Sequence, residues 1–343
     1  MNALTQPVES LNSIPLNPPT RKKPLRLVET RHLDRDAWLA VRKQGIGGSD
    51  AAAAIGLNPY QSQLALWLEK TGRDTEMPQI DPNDDTTPAY WGTVLEPIVA
   101  QHYAKRTSHK VRRVNAVLRH PTVPFMLANL DREIVACDEV QILECKTAGL
   151  NGAKLWKNGV PEYVQVQVMH QLAVTGQQAA DVAVLIAGQD LQIFRIHRDE
   201  TMIAHLIELE RQFWHYVETD TPPPADGSDS AEQALRCLFP EDAVEWVDFT
   251  ADADLNHVFE DLMAIRDDIK TASAVESRLK QRIEQEMGCA GKALFRSGSV
   301  SWKRSQDSMV FDSKRLCTEL PELAAQYQTL KPGSRRFLVS SYH

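Results

Sequence analysis

The chain has 343 residues, 43% of them hydrophobic and 24% charged, with a formal net charge of −8. That make-up suits a soluble globular protein with room for one large domain and an appendage, or for two domains. No apolar run approaches the length of a bilayer span and the N-terminus lacks the apolar stretch of a secretory signal, so no membrane association and a cytoplasmic location are expected. Five scattered cysteines (Cys137, Cys145, Cys237, Cys289 and Cys317) form no CxxC pair. The spacing argues against a zinc ribbon, a disulfide framework or a cysteine-ligated iron–sulfur cluster, and reduced thiols are expected. The acidic total does not exclude a polyanionic partner. From Gly291 onward nine Lys and Arg stand against four Asp and Glu, and the distribution of charge matters more than its sum.

In chain order, residues 1–24 read as a disordered arm, polar and dotted with proline, that runs into the basic stretch RKKPLR. DRDAWLAVRK predicts a helix capped by Asp34, and SDAAAAIG predicts a second with Ser49 or Asp50 as its cap. A third helix is expected over Ser62 to Lys70, then an acidic loop from Asp74 to Pro88, then a helix through WGTVLEPIVAQHYAKRT. Lys110 to Leu118 predicts a strand, Asp131 to Lys146 a hairpin, PEYVQVQVMHQLAVTG a helix and Ala180 to His197 a second hairpin. A long helix follows from Glu200 to Val217. This order implies an α+β core, 25–220, with a mixed sheet flanked by helices. Residues 221–232, TPPPADGSDSAE, have the composition of a linker. Beyond it, 233–343 is expected to form an accessory region with a long charged helix or helix pair from Leu255 to Met287 and a β-hairpin in ALFRSGSVSWKR.

The hairpin Asp131 to Lys146 carries the most chemical information. With its turn centred near Cys137 and Asp138, Asp131 and Glu144 face each other across two strands, close enough for both carboxylates to grip one cation. Glu144 and Lys146 are two apart and share a face, while Cys145 points to the other side. Glu144 follows the apolar run VQIL and is expected at a sheet edge opening onto a cleft. Two acids and a lysine about one point suit metal-assisted cleavage of a phosphodiester, although Glu-x-Lys in a strand is common by chance. Glu96 sits on the apolar side of a helix, where an acid is costly unless it finds a cation. In RKQGIGGSD a positive side chain, a glycine turn and a hydroxyl at a helix start, Arg42 and Ser49, could hold a phosphate. A helix connection with glycines for close packing explains that stretch equally well. No GK[ST] follows, so nucleotide hydrolysis is not indicated. The histidines His102, His120, His170 and His205 show no ligand spacing and read as structural.

Taken in order, RxxGIGGSDAAAAIGLNPY, WGTVLEP, LANLDREI, LECKTAG and PEYxxxQxxHQLAVTG resemble the YqaJ/lambda exonuclease family, within the restriction-endonuclease-like PD-(D/E)xK nucleases. The resemblance covers roughly Asp34 to Gly188. It implies a restriction-endonuclease-like core in which Glu96, Asp131 and Glu144 bind Mg²⁺ (or Mn²⁺), with the backbone carbonyl of Cys145 as a further ligand. Lys146 would orient or deprotonate the attacking water. Arg42 and Ser49 would form a pocket for a 5′-terminal phosphate, and Gln167, with Gln165 as an extra candidate, would contact DNA. Leu130 stands where the family's motif has proline. Relatives of this kind digest one strand of linear double-stranded DNA from its 5′ end, leave a 3′ single strand for an annealing protein, and commonly assemble as toroidal trimers. The alternatives are a structure-selective endonuclease and an inactive DNA clamp or scaffold on the same fold.

Overall fold

The computed structural model describes residues 23–340, apart from 79–80, 243–244, 331–332 and 334. The expected disordered arm, 1–24, lies almost wholly outside these residues. Two compact units are distinguished, Met1–Pro240 and Glu241–His343.

The first unit opens with β1 (Leu25–Glu29), α1 (Arg35–Arg42), α2 (Gly48–Ala54), α3 (Gln63–Lys70) and α4 (Pro88–Thr107). It continues through β2 (Lys110–Arg112), β3 (Ala116–Arg119), β4 (Leu127–Ala128), β5 (Arg132–Val135), β6 (Ile142–Ala148), α5 (Glu162–Thr175), β7 (Ala179–Ile186), β8 (Asp190–His197), α6 (Glu200–Glu218) and α7 (Asp229–Leu238). The helix starts follow side-chain capping. Asp34, Ser62 and Thr87 each accept a backbone N–H of the first turn of α1, α3 and α4. In α2 the cap is Gly47 rather than Ser49 or Asp50. Asp50 sits one turn in and reaches back to accept the Gly47 N–H at 3.0 Å. α5 stops at Gly176, whose φ of 71° lies in the left-handed region.

Five strands form the central sheet in the order β2-β5-β6-β7-β8, and β1-β3-β4 form a separate three-stranded sheet. The stretch Lys110 to Leu118, expected as one strand, is thus split between two sheets. β6 and β7 are parallel and their other neighbours antiparallel, so α5 serves as the crossover that a parallel pair requires. This is the mixed sheet with flanking helices expected from the sequence. β7 is buried along most of its length, as a central strand covered on both faces must be.

The sheet has a core on each side. Ile142, Val182 and Val184 pack with Val164, Val168 and Leu172 of α5. Leu143, Cys145 and Ala183 pack with Val99, Ala100 and Tyr103 of α4. The two-residue period of β6 therefore sends Glu144 and Lys146 toward α5 and Cys145 toward α4. A buried polar contact lies inside the first core. His170 of α5 bonds Glu210 of α6 at 2.7 Å through Nδ1 and the Leu127 carbonyl at 2.8 Å through Nε2, a structural role as its lack of ligand spacing suggested.

The expected linker 221–232 does not divide the units. α7 begins inside it and packs on α3, with the Ser62 N–H donating to Ser230 Oγ at 3.0 Å. Apolar residues Ala231 and Ala234 are buried there, which anchors the segment to the first unit.

The second unit holds α8 (Ala253–Met287), a single 35-residue helix rather than a pair, then the hairpin β9 (Lys292–Phe295) and β10 (Gly298–Ser301), and the short helices α9 (Ser313–Glu319) and α10 (Pro321–Gln326). The hairpin turn falls at Arg296 and Ser297, and Gly298 is already the first residue of β10.

Candidate functional site

The β5–β6 register pairs Arg132 with Leu143 and Glu133 with Ile142. Extended by one residue, it sets Asp131 opposite Glu144, as a hairpin centred at Cys137 and Asp138 requires. The connection itself is longer than a tight turn and passes through Ala136 at a φ of 54°. Asp131 Oδ2 accepts the Cys145 N–H at 2.8 Å, which locks the acid against the central strand. Glu144 is not at a sheet edge. β6 is the middle strand of five, and Glu144 is 3% exposed. A buried carboxylate needs partners, and α5 supplies them. Gln167 Nε2 donates to Glu144 Oε1 at 2.6 Å and Gln171 Nε2 to Glu144 Oε2 at 2.8 Å. Lys146 Nζ lies 2.8 Å from Glu144 Oε1 and donates to Gln167 Oε1 at 2.8 Å. Lys146 keeps 26% of its side chain exposed, so solvent reaches it.

Glu96 arrives from α4 and has found its cation in Arg132, whose Nη1 lies 2.6 Å from Glu96 Oε1. It lies close enough to Asp131 to act on it electrically. Burial, then Glu144 and then Glu96 push the Asp131 carboxyl up to about 8, against the opposing pull of the Cys145 N–H and Lys146. Burial alone would lower the Lys146 ammonium, but Glu144 outweighs it and raises the group above its ordinary value, so Lys146 carries its proton at neutral pH.

Among the described residues, no group of three or more His, Cys, Asp or Glu is gathered tightly enough to hold an ion as it stands. The donor chemistry nonetheless fits one. Glu96, Asp131 and Glu144 are all hard oxygen donors of the kind that Mg²⁺ and Mn²⁺ take. Asp131 is short of positive charge, and Arg132 occupies one oxygen of Glu96.

A second cluster lies at the start of α2. Arg42 Nη2 donates to Ser49 Oγ at 2.8 Å and to Asp50 Oδ1 at 2.5 Å, and Lys70 Nζ donates to Asp50 Oδ2 at 2.7 Å. Burial works to raise the Asp50 carboxyl, but Lys70, Arg42 and the Gly47 N–H together hold it well below the ordinary carboxylate range. The guanidinium lies 4.9 Å from the Trp38 ring centroid, a cation–π seat. The two clusters touch through Gly48, where an added Cβ would meet Gln171 Cγ at 3.2 Å and Gln167 Cγ at 3.5 Å.

The structure thus brings together Asp131, Glu144, Lys146 and Gln167, joins Arg42 to Ser49 beside them, and turns Glu96 onto Arg132. Gln165 is not part of the group. Two residues from Gln167, it faces away, and its Nε2 donates to the Val160 carbonyl at 2.6 Å. Four residues of the clusters were missed: Arg132, Gln171, Asp50 and Lys70. Gln171 lies four residues from Gln167 and so shares its helical face, and the basic residue directly after Asp131 is a signal for a charge partner. Nothing in the sequence pairs Lys70 with Asp50.

A family model described as the YqaJ-like viral recombinase domain matches residues 37–178. The uncharacterized protein YqaJ of Bacillus subtilis (strain 168) is 35% identical over 325 residues, which spans 93% of this chain and 98% of that protein. Among solved structures, an alkaline exonuclease (LHK-Exo) from Laribacter hongkongensis is 22% identical with a TM-score of 0.44, covering 54% of this chain and 93% of that one. The same enzyme in complex with dAMP is 23% identical with a TM-score of 0.43 and covers the same shares. Identity sustained over nearly the full length of both proteins, with the domain model falling on the residues that build both clusters, makes this chain a member of the YqaJ family.

Proposed function

We propose that the chain is a divalent-metal-dependent deoxyribonuclease that digests one strand of linear double-stranded DNA from its 5′ end. The 3′ single strand left behind would pass to a single-strand annealing protein in homologous recombination. The observation that carries the reading is the hydrogen-bonded set on β6 and α5: Glu144 fixed by two carboxamides, Lys146 beside it, and Asp131 opposite it on the hairpin.

Glu96, Asp131 and Glu144 would hold the ion, Mg²⁺ or Mn²⁺, with the Cys145 carbonyl as a further oxygen. When bound, such an ion polarises a phosphate oxygen and makes water a better nucleophile. Lys146, protonated and partly exposed, would orient the attacking water and steady the charge that grows on the phosphate. Its raised ammonium suits this role better than that of a base. Gln167 links Lys146 to Glu144 and so fixes the spacing between charge donor and ligand. Arg42 and Ser49 would take a terminal 5′ phosphate, with Gly48 bringing that pocket against the glutamines of the cutting centre. A ring of subunits around the duplex is the assembly that fits a processive enzyme of this kind.

End-labelled linear duplex, 5′-phosphorylated or not, incubated with Mg²⁺ or with a chelator, tests the reading. Mg²⁺-dependent release of nucleotides from the 5′ strand is expected, faster on phosphorylated ends. Cutting of covalently closed circles would favour an endonuclease, and binding without cleavage would favour a clamp.

A further inference from the structure

Gln171 stands outside the residues expected to act, yet it holds Glu144 as firmly as Gln167 does. It is 1% exposed, one helical turn beyond Gln167, so the two carboxamides share a face of α5. Its Nε2 donates to Glu144 Oε2 at 2.8 Å and reaches the Asn129 carbonyl at 3.4 Å. Both neighbours are acceptors, which fixes the direction of the amide. Gln167 serves Oε1, which the Lys146 ammonium also approaches at 2.8 Å, so Gln171 is the partner of Oε2 and a neutral one. A neutral donor restrains the direction of Oε2 without cancelling its charge, and that leaves this oxygen free to serve a cation. Gln171 Oε1 has no partner among the described residues. Leaving a buried carbonyl unmatched is costly, and packing alone would be better served by an apolar side chain. On its other side Gln171 lies against the first turn of α2, where a Cβ at Gly48 would sit 3.2 Å from its Cγ and 3.5 Å from its Nε2.

We propose that Gln171 is a positioning residue of the cutting centre, which fixes the direction of the Glu144 carboxylate from a seat between α2 and β6. Its loss lowers cation binding and cleavage rate together without weakening the hold on DNA. This rests on the nuclease reading above, and the experiment separates the two. Gln171→Leu removes the donor at similar volume. Gln171→Asn keeps a buried amide but shortens it by one methylene, so that it no longer reaches Glu144. Each full-length variant is checked by its melting temperature. Mn²⁺ binding is then measured by calorimetry without DNA, and kcat and KM are measured on linear duplex.

Partners that orient a metal-binding carboxylate are worth about 10–100-fold in metal affinity or activity. Both variants should therefore lose about that factor in Mn²⁺ affinity and in kcat, with KM within about twofold of wild type, the split expected for an effect on the chemical step. Gly48→Ala, which pushes on Gln171 without removing it, should move both quantities in the same direction by less, and it decides the matter if both glutamine variants fail to fold. Wild-type Mn²⁺ affinity and kcat in a folded variant overturn the proposal, as does a raised KM with kcat intact. A wild-type protein that binds Mn²⁺ but does not cut rejects the nuclease reading and leaves the calorimetry to judge Gln171. Wild type that binds no Mn²⁺ overturns both.

Discussion

Asp50 and Asp131 are handled in opposite ways by their surroundings. Asp50, at the start of α2, has Lys70 and Arg42 on its two oxygens and the Gly47 N–H as well, and is held far below the ordinary carboxylate range. Asp131, at the β5–β6 hairpin, has one N–H on a single oxygen and two further carboxylates nearby, and is pushed up to about 8. The first cluster is electrically complete. Its acid serves the fold and aims Arg42 at Ser49. In the second the cations sit on Glu144 and Glu96 while Asp131 has none of its own, so an incoming cation would relieve repulsion at that acid. A satisfied ion pair and an acid left without a counter-charge thus differ less in residue type than in whether the protein supplies that charge.

The sharpest break of this comparison is removal of the ammonium that lies beside Glu144 in the proposed cutting centre. Lys146→Ala should lower the rate of strand digestion by about 10²–10³-fold, the cost of losing one group that stabilises charge in the transition state. Binding to the same duplex should change little. The end-labelled assay reads the first effect and a gel shift in the presence of chelator the second. Wild-type digestion by this variant would remove Lys146 from the chemistry.

The two aspartates themselves provide the next test. In Asp50→Asn the buried Lys70 loses its main partner, and breaking such a pair costs about 3–5 kcal/mol of stability. Because the Asp50 carboxyl is depressed in the folded state, its contribution is present above the unfolded carboxylate range and is lost as pH falls through the folded value. The variant should therefore melt well below wild type at neutral pH, and the gap should narrow in acid. Asp131→Asn should do the reverse in metal-free buffer. Its amide oxygen still accepts the Cys145 N–H and cannot ionise beside Glu144 and Glu96. The cost that sets in above the unfolded carboxylate range and is complete above about pH 8 therefore disappears, and stability should hold or rise by about 1 kcal/mol even as digestion is lost. Thermal melts of both variants with and without Mn²⁺ decide it. A destabilised Asp131→Asn would erase the contrast.

Local chemistry explains which parts of this arrangement were legible in the sequence. The period of two along β6 put Glu144 and Lys146 on one face and Cys145 on the other, and the pairing of Asp131 with Glu144 followed from the centre of the hairpin. Capping residues set the starts of α1, α3 and α4. What failed depended on contacts distant in the chain. Glu144 looked like an edge residue because VQIL precedes it, yet β7 arrives from beyond α5 and makes β6 central. The pairing of Glu96 with Arg132 spans 36 residues, and that of Lys70 with Asp50 spans 20. No periodicity reports either. The composition of 221–232 read as linker, but burial of Ala231 and Ala234 against α3 tied it to the first unit.

A smaller effect is expected at the complete cluster. Arg42→Ala removes a guanidinium that already has Asp50, Ser49 and Trp38 as company, so a terminal phosphate would gain only the part of its charge that Asp50 leaves over. The preference for 5′-phosphorylated over 5′-hydroxyl ends should shrink by about tenfold, equal to about 1.4 kcal/mol and within the range of one charge-assisted hydrogen bond. Parallel digestion of the two substrates measures it. An equal loss on both ends would mean that Arg42 acts on folding or on the cutting centre instead of on the strand end.

The smallest effect distinguishes the two glutamines that the sequence put forward together. Gln167 and Gln165 are separated by two residues on a helix, which places them about 200° apart. Gln167 joins Lys146 to Glu144, whereas Gln165 closes on the Val160 carbonyl at the start of α5. Gln167→Ala leaves Glu144 Oε1 to Lys146 alone and removes the amide that joins the two, so it should lower kcat by about 10–100-fold. Gln165→Ala loses a single exposed bond to a helix end, which is worth about 0.5 kcal/mol or less of stability, and its digestion rate should stay within about twofold of wild type. A rate for Gln165→Ala as low as that for Gln167→Ala would mean that DNA engages the outer face of α5 as well as the inner one, and the site would then extend beyond the β6–α5 interface.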